Sequence, residues 1–500
     1  MEPRADPRAD TRLLAIVVFV VGAASLGTEI AAARLLAPFF GASTIVWANI
    51  IGVVLVALSV GYWLGGRFAD RHPSLRGLCS IVMLAAVLLA IVPFAARPFL
   101  GVSVNALASI EAGAFLGSLL GVLVLVSVPV MLLGAAAPYA LRLAVSDVER
   151  SGEVAGRLYA ISTAGSLVGT MSAALLLIPF AGTQRTFLIF ALALGAVSAV
   201  GLGPRFLVVP AIVGALALLA VGAIKGTEHG RVLFETETPY QYARVVERGG
   251  GERVLELNEG QAVHSVYKPG SYLTGNYWDG FLVLPFTASD SPPRRVLMLG
   301  SAAGTVARAY GHFFPKTLFD AVEIDGELTT IGRRYFDLRN PRMRTYTEDA
   351  RPFLAASDRR YDAIMVDAYR QPYVPFYLVT REFFELVREH LAAGGSVIVN
   401  VGHPEGNDDL ERVVGRTMAA VFPVVRRDPI EPVNTLLTAS MGPASAGGLS
   451  DGSLPPQLRD LGTEVAGQLA PRLPGGEVYT DDRAPVEWLV DLSILGYANE

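Results

Sequence analysis

The sequence predicts a multi-span α-helical membrane domain followed by an α/β Rossmann-like domain that opens with a small β subdomain. Three observations predict it. Widely spaced charges leave long apolar runs before residue 225, residues 231–285 alternate apolar and polar side chains, and strand–helix alternation begins near residue 295. At 52% hydrophobic and a mean hydropathy of +0.43, the chain is too apolar for one soluble globule, and its 500 residues exceed one ordinary domain. A net charge of −5 without a long basic block argues against nucleic acid as a partner. The single cysteine, Cys79, excludes an intrachain disulfide and a cysteine-based zinc cluster; in its apolar run it reads as a packing residue.

The expected boundaries are a polar tail at 1–11, a membrane domain at 12–225, a small β subdomain at 231–290 and the Rossmann-like domain at 291–500. A spanning helix needs about 20 apolar residues. Twenty uncharged residues separate Arg76 from Arg97, and thirty separate Glu111 from Arg142. The intervals Arg157–Arg185, Arg185–Arg205 and Arg205–Lys225, with runs near 12–33 and 44–66, bring the expected count to about seven. The first run lacks a convincing cleavage site and reads as an anchor. Arg67, Arg71 and Arg76 after the second run, and Arg142, Arg150 and Arg157 after the fourth, place those loops and the N-terminal tail in the cytoplasm. Seven crossings would then export everything after residue 225, so either one run fails to cross or the C-terminal half faces outward. "GYWLGGRFADRHPSLR", residues 61–76, resembles the loop between the second and third helices of major facilitator transporters. Glu29 and Arg34 in the first run are intramembrane charges, hence functional candidates.

In the C-terminal half, "RVLFETETPYQYARVVERGGGERVLELNEG" reads as antiparallel strands with a "GGG" turn. "RRVLMLG", "LFDAVEID", "YDAIMVDAY" and "GGSVIVNV" read as parallel strands, and 304–313, 327–336 and 380–392 as crossover helices. In "VLMLGSAAGTVARAY", Gly300 and Gly304 let the backbone approach a ligand at a helix N-terminus. Glu323 ends the second strand, nineteen residues after Gly304, where an acid takes two ribose hydroxyls. Asp349 follows the third strand, where a carboxylate accepts from an adenine amino group, and Asp367 ends the fourth. Polar groups at successive carboxyl ends of one parallel sheet make a ligand crevice. Neither G-x-x-x-x-G-K-[ST] nor G-x-G-x-x-G is present, which favours an AdoMet-like nucleoside over ATP or NAD. No His/Asp/Glu set has metal-ligand spacing, so no metal is expected. His264 and His403 are cleft candidates, and "TDDRAP" at 480–485 reads as a C-terminal brace.

"YQYARVV", "QAVHSVYKPGSYLTGNYWDGFLVLPF", the stretch 296–336, "YTEDARPFL" and "YDAIMVDAY" resemble spermidine synthases in order and spacing over about 231–425. The whole chain resembles the membrane-fused spermidine synthase-like proteins, as "YTDDRAPVEWLV" also does. The resemblance implies an AdoMet-type fold in which an amine attacks the methylene beside the sulfonium of decarboxylated S-adenosylmethionine and methylthioadenosine leaves. It makes Asp367 the proton acceptor. It assigns the donor nucleoside to Gly300, Ser301, Gly304, Glu323, Asp349, Ala350 and Gln261. It assigns the acceptor to Gln241, Tyr277, Asp279 and Tyr369, with His264 beside them, and Trp278 replaces a family His.

Two positions depart from that pattern. Ala303 stands where synthases carry an aspartate, and Arg370 stands where they carry a second acid three residues after Asp367. Three functions stay open at this point. One is a membrane-anchored aminopropyltransferase using a small-molecule amine. Another is an S-adenosylmethionine-dependent methyl- or alkyltransferase acting on a lipid or membrane-near acceptor. The third is a transporter-like protein with a nucleoside-sensing domain. The partners are the amine and the lipid bilayer; a homodimer is left open. Donors of this type are cytosolic, which implies a multi-pass protein of the inner (plasma) membrane with a cytoplasmic catalytic domain.

Overall fold

The computed structural model describes residues 7–40, 44–107, 113–145, 148–219, 230–258, 262–369, 374–403, 405–450, 453–486 and 489. The chain divides into two compact units, Met1–Gly226 with Glu237–Tyr242, and Thr227–Thr236 with Ala243–Glu500.

Among the described residues of the helical unit, six helices are long and apolar enough to cross a membrane. They are Thr11–Ala37, Val46–Arg71, Leu75–Ala96, Ser127–Ala144, Ser151–Ala181 and Thr183–Leu202. These six candidate spans stand beside the expected count of about seven. The apolar run after Arg205 folds as the helix Pro204–Leu218, one of two apolar helices in the 10–17-residue class; the other is Phe115–Leu125. At 1.5 Å per residue such helices reach about 15–25 Å, short of the roughly 30 Å hydrocarbon core. The run before Arg142 breaks at Val126 into Gly113–Leu125 and Ser127–Ala144, so only its second part is a candidate span.

Small residues set the closest helix contacts. A Cβ at Gly165 would collide with the Phe19 carbonyl, and one at Gly169 with that of Ala23, so the first helix and Ser151–Ser172 touch backbone to backbone. A Cβ at Gly61 or Gly65 would meet Met131 or Ala135 in the same way. The "GGRFADR" stretch ends the helix Thr44–Arg71, where Asp70 pairs with Arg142 at 3.1 Å and the Tyr139 hydroxyl donates to the His72 carbonyl. These bonds pin a helix end to its neighbour. Glu29 and Arg34 both lie on the helix Pro7–Phe40.

The second unit contains two sheets. Strands β1 (Arg231–Glu237), β2 (Tyr242–Glu247), β3 (Arg253–Leu257) and β4 (Val263–Tyr267) form the first, in that order, with β2, β3 and β4 antiparallel. The Gly249–Gly251 turn joins β2 to β3, and Gly250 and Gly251 take φ of 74° and 77°, where other residues are strained. Within this sheet Arg244 and Glu256 face each other across β2 and β3 as a buried ion pair.

The second sheet comprises β5 (Arg295–Leu299), β6 (Leu318–Val322), β7 (Met343–Tyr346), β8 (Tyr361–Val366), β9 (Leu391–Gly402), β10 (Val424–Glu431), β11 (Asn434–Ser440) and β12 (Ala470–Pro471). Its order is β12-β10-β11-β9-β8-β5-β6-β7. The five strands β9-β8-β5-β6-β7 are parallel, and β11, β10 and β12 add an antiparallel edge. Val296 to Leu299 and Ala363 to Val366 are buried on both faces, which explains their near-continuous apolar sequence. Crossover helices Thr305–Phe313, Gly326–Tyr335 and Arg381–Glu389 occupy the three expected stretches; the third stops early because β9 begins at Leu391. The chain runs outward from β5 through β6 to β7 and returns to β8 on the other side of β5. That reversal opens a crevice at the carboxyl ends of β5 and β8.

Candidate active site

Each expected donor-site residue with a described position sits at a carboxyl end of the parallel strands. Gly300 follows β5 with φ 84°, and its amide donates to the Val322 carbonyl of β6 at 2.9 Å. A side chain there would strike the backbone of Asp367 and Ala368, so glycine lets the ends of β5 and β8 touch. Gly304, also at φ 84°, caps the helix Thr305–Phe313. Strand β4 of the small sheet locks the turn between them. Ala303 N–H donates to Ser265 Oγ at 3.0 Å, and Val266 N–H donates to Thr305 Oγ1 at 2.9 Å.

Glu323 is buried at the end of β6. Its carboxylate accepts from the backbone N–H groups of Ser301 (3.1 Å), Ala302 (2.8 Å) and Asp325 (3.1 Å). These bonds tie the second strand end to the glycine turn and let Ala302 hold φ 44°. Burial pushes the Glu323 carboxyl up to about 6, and the three amides oppose the shift. Asp349 caps the helix Ala350–Ala356 by accepting from Arg351 N–H at 3.1 Å, and its other oxygen accepts from the Tyr377 hydroxyl at 2.7 Å. The "TDDRAP" segment braces this corner: Asp481 holds Arg351 through two bonds of 2.7 and 2.6 Å and accepts from Thr380 at 2.7 Å.

Asp367 follows β8 at the crevice. The Asn400 side-chain amide donates to Oδ1 at 2.9 Å and the Tyr277 hydroxyl donates to Oδ2 at 3.2 Å. Loss of solvent raises its carboxyl to about 6, opposed by bonds from Asn400, Tyr277 and Trp278. With neighbouring strands about 4.8 Å apart, Glu323 stands two strands, or roughly 10 Å, from Asp367. Tyr277 also donates its backbone N–H to Glu431 at 2.9 Å. Burial first, then the Asp367 charge, raises its phenol. Tyr369 donates to the Asn400 carbonyl at 2.9 Å, and Asn434 donates to the Asn400 side-chain oxygen at 2.9 Å. Sequence reasoning missed Asn400, Glu431 and Asn434. For Asn400 a signal existed, a polar residue inside the aliphatic "VIVNV" of a central strand; Glu431 and Asn434 lie on the antiparallel edge and carried none.

Other expected residues lie differently. Asp279 turns its carboxylate onto its own loop, accepting from Thr274 N–H, Thr274 Oγ1 and Gly275 N–H at 2.7–3.0 Å. His264 Nε2 is buried with no hydrogen-bond partner among the described residues, and burial lowers its imidazole to about 4. Gln241 is buried in the turn before β2, where its N–H donates to Thr238 Oγ1 at 3.0 Å. Gln261 and Arg370 lie outside the described residues. The Ala303 methyl is fully buried in an apolar cluster with Val245, Leu255 and Phe336. The His403 backbone N–H donates to the Val433 carbonyl at 2.9 Å, and its Nε2 lies 3.4 Å from Thr435 Oγ1 on β11. His403, Asp408 and Glu411 bring ligand atoms within 4.8 Å of one another, a grouping that their spacing in sequence had not suggested. Its buried member, Glu411, is held by Arg427 through two bonds and accepts from Thr435 Oγ1 at 2.8 Å, so a guanidinium already fills the place of a cation.

Residues 284–449 match the family model described as the spermine/spermidine synthase domain. A "Probable polyamine aminopropyl transferase" of Bifidobacterium longum is 36% identical over 190 residues, 38% of this chain and 42% of that protein. This chain thus spans about two fifths of that relative's length. A polyamine aminopropyltransferase of Corynebacterium efficiens is 26% identical over 443 residues, 82% of this chain and 80% of that one, a stretch that reaches into the helical half. A crystal structure of a probable spermidine synthase from Corynebacterium glutamicum aligns with a TM-score of 0.42 and 20% identity over 52% of this chain and 99% of that chain. The C-terminal half of this chain carries a spermidine synthase domain, preceded by an N-terminal helical region in which six helices among the described residues are long and apolar enough to cross a membrane.

Proposed function

We propose that the protein is a membrane-anchored polyamine aminopropyltransferase. The observation that carries this reading is Asp367, a carboxylate held by Tyr277 and Asn400 at the strand crossover, with its carboxyl raised to about 6. A base poised near the working pH is what an amine nucleophile needs, since only the neutral amine attacks. The amine nitrogen bonds to the methylene carbon beside the sulfonium, the carbon–sulfur bond breaks, and methylthioadenosine leaves with the electron pair. The surplus proton on nitrogen passes to Asp367. Glu323 has the position and the acceptor oxygens for ribose hydroxyls, and Asp349 those for an adenine amino group. Gly300 lets the end of β5 lie against the backbone of Asp367 and Ala368. Donor labelled in its aminopropyl group should transfer label to putrescine. Label that stays on the donor, under conditions where a control synthase transfers it, would sink the reading.

The six apolar helices support anchoring in the inner (plasma) membrane. An even number of crossings returns the chain to the side of its N-terminal tail, which the Arg67, Arg71 and Arg142 loops assign to the cytoplasm. The synthase domain then meets cytosolic donor directly.

One observation favours a second reading. Ala303 offers an apolar methyl where synthases carry an aspartate for the donor's ammonium, and that methyl packs away in an apolar cluster. A donor that keeps its carboxylate, S-adenosylmethionine, then loses less here, and methyl or alkyl transfer to a membrane-near acceptor follows. Tighter binding of S-adenosylmethionine than of its decarboxylated form would select this reading; the reverse order would remove it.

A further inference from the structure

The helical unit contains an open groove of ≈ 440 Å³ between the helix Thr44–Arg71 and the helices Gly113–Leu125 and Ser127–Ala144. Its walls are carbon: Gly52, Val56, Val60, Leu119, Leu123 and Val128 line it. Two polar side chains, Asn49 and Ser127, also reach it, and their donor groups are spent inside the protein. The Asn49 amide donates to Ser118 Oγ and the Phe115 carbonyl, both at 3.0 Å, and the Ser127 hydroxyl donates to the Leu123 carbonyl. The walls are exposed, with Val56 64% and Leu123 50% accessible.

The groove's length is informative. From Ala48 to Val60 the helix rises about 18 Å at 1.5 Å per residue. One leaflet of a roughly 30 Å hydrocarbon core is about 15 Å deep. The groove therefore has the depth of one leaflet, and the polar donors that reach it are already bonded within the protein. Left empty, its walls would forfeit their dispersion contacts. Gly52 shapes its floor. A Cβ added there meets nothing within 4 Å, whereas Gly61 and Gly65 on the same helix are closed by Met131 and Ala135. We propose that this groove binds a single fatty-acyl chain of a bilayer phospholipid, laid along the helix Thr44–Arg71.

Full-length protein in phosphatidylcholine–phosphatidylglycerol nanodiscs containing a phospholipid with a diazirine in one acyl chain provides the test. After irradiation and proteolysis, peptides covering 48–60 and 119–131 should carry several-fold more label than the helix surface at Leu175 and Leu176, which is equally exposed and lies outside the groove. Gly52→Trp should fill the groove and bring that label down to the Leu175 level. Gly52→Leu should give an intermediate loss, and serves if the Trp variant fails to fold. Equal labelling of both surfaces, groove labelling unchanged in a folded Gly52 variant, or crosslinks joining two copies of the chain at this face would each overturn the proposal.

Discussion

The side-chain amide of Asn400 donates to Asp367 at 2.9 Å while its own oxygen accepts from Asn434, so two asparagines on β9 and β11 orient the carboxylate that ends β8. A hydrogen bond to a charged group contributes about 1.5–3 kcal/mol.

Removing that bond should therefore move a titration. Asp367 has its carboxyl raised to about 6. Acting as a base, it is competent above that pH and lost as the pH falls through it, so kcat/KM should fall on an acid limb near 6. Asn400→Leu removes a donor that favours the ionised form. The limb should then move up by about one pH unit or more. A pH–rate profile of the two proteins checks this; an unmoved limb would show that Asn400 does not hold the titrating group.

Glu323 joins three backbone amides of the glycine turn and the β6 end. Glu323→Ala leaves them unpaired in a buried place, at about 1–3 kcal/mol for each. Donor affinity by calorimetry should fall tenfold or more, and Tm should drop as well. Glu323→Gln keeps one acceptor and should lie between. Equal donor binding by all three proteins would remove Glu323 from the donor site.

The two turn glycines should differ. Gly300→Ala places a methyl against the backbone of Asp367 and Ala368, which has no room to move, whereas Gly304→Ala meets the Leu338 side chain, which can rotate. Both add the left-handed backbone cost of about 1–2 kcal/mol. Thermal unfolding should rank Gly300→Ala as the more damaging, with loss of donor binding. The opposite rank would contradict the close contact of β5 and β8.

The proposed membrane anchoring has a direct consequence: if all six candidate spans cross, the N-terminal tail and the synthase domain share one side. In a Cys79→Ala background, single cysteines introduced as Asp6→Cys and Ser289→Cys should react with a membrane-impermeant maleimide only after the cytoplasmic face is opened. Labelling of Ser289→Cys in intact cells would restore a seventh crossing.

Much of this site could be read from sequence because its residues end strands. An aliphatic run followed by Gly300, Glu323 or Asp367 marks where a parallel strand stops, and neighbouring parallel strands stop at the same edge. The helix count was less legible, since charge spacing measures apolar length and not continuity. Only folding shows that the run before Arg142 breaks at Val126 and that the last helix stops at Leu218. Contacts from the antiparallel edge were illegible for a different reason. Glu431 reaches Tyr277 across 154 residues of sequence, through the register of a hairpin that no local pattern specifies. Asp279, expected at the acceptor and two residues from Tyr277, has its carboxylate bonded to donors in its own loop, a local contact that its position in the sequence does not reveal.

The most direct measurement is methylthioadenosine release by the purified full-length protein given decarboxylated S-adenosylmethionine and putrescine, alongside Asp367→Asn. Steady release by the wild type, falling on the order of 10²–10⁴-fold in Asp367→Asn while the donor Kd stays within a few-fold, is the expected result. No release by the wild type beside an active control synthase, or equal release by both proteins, would contradict the account.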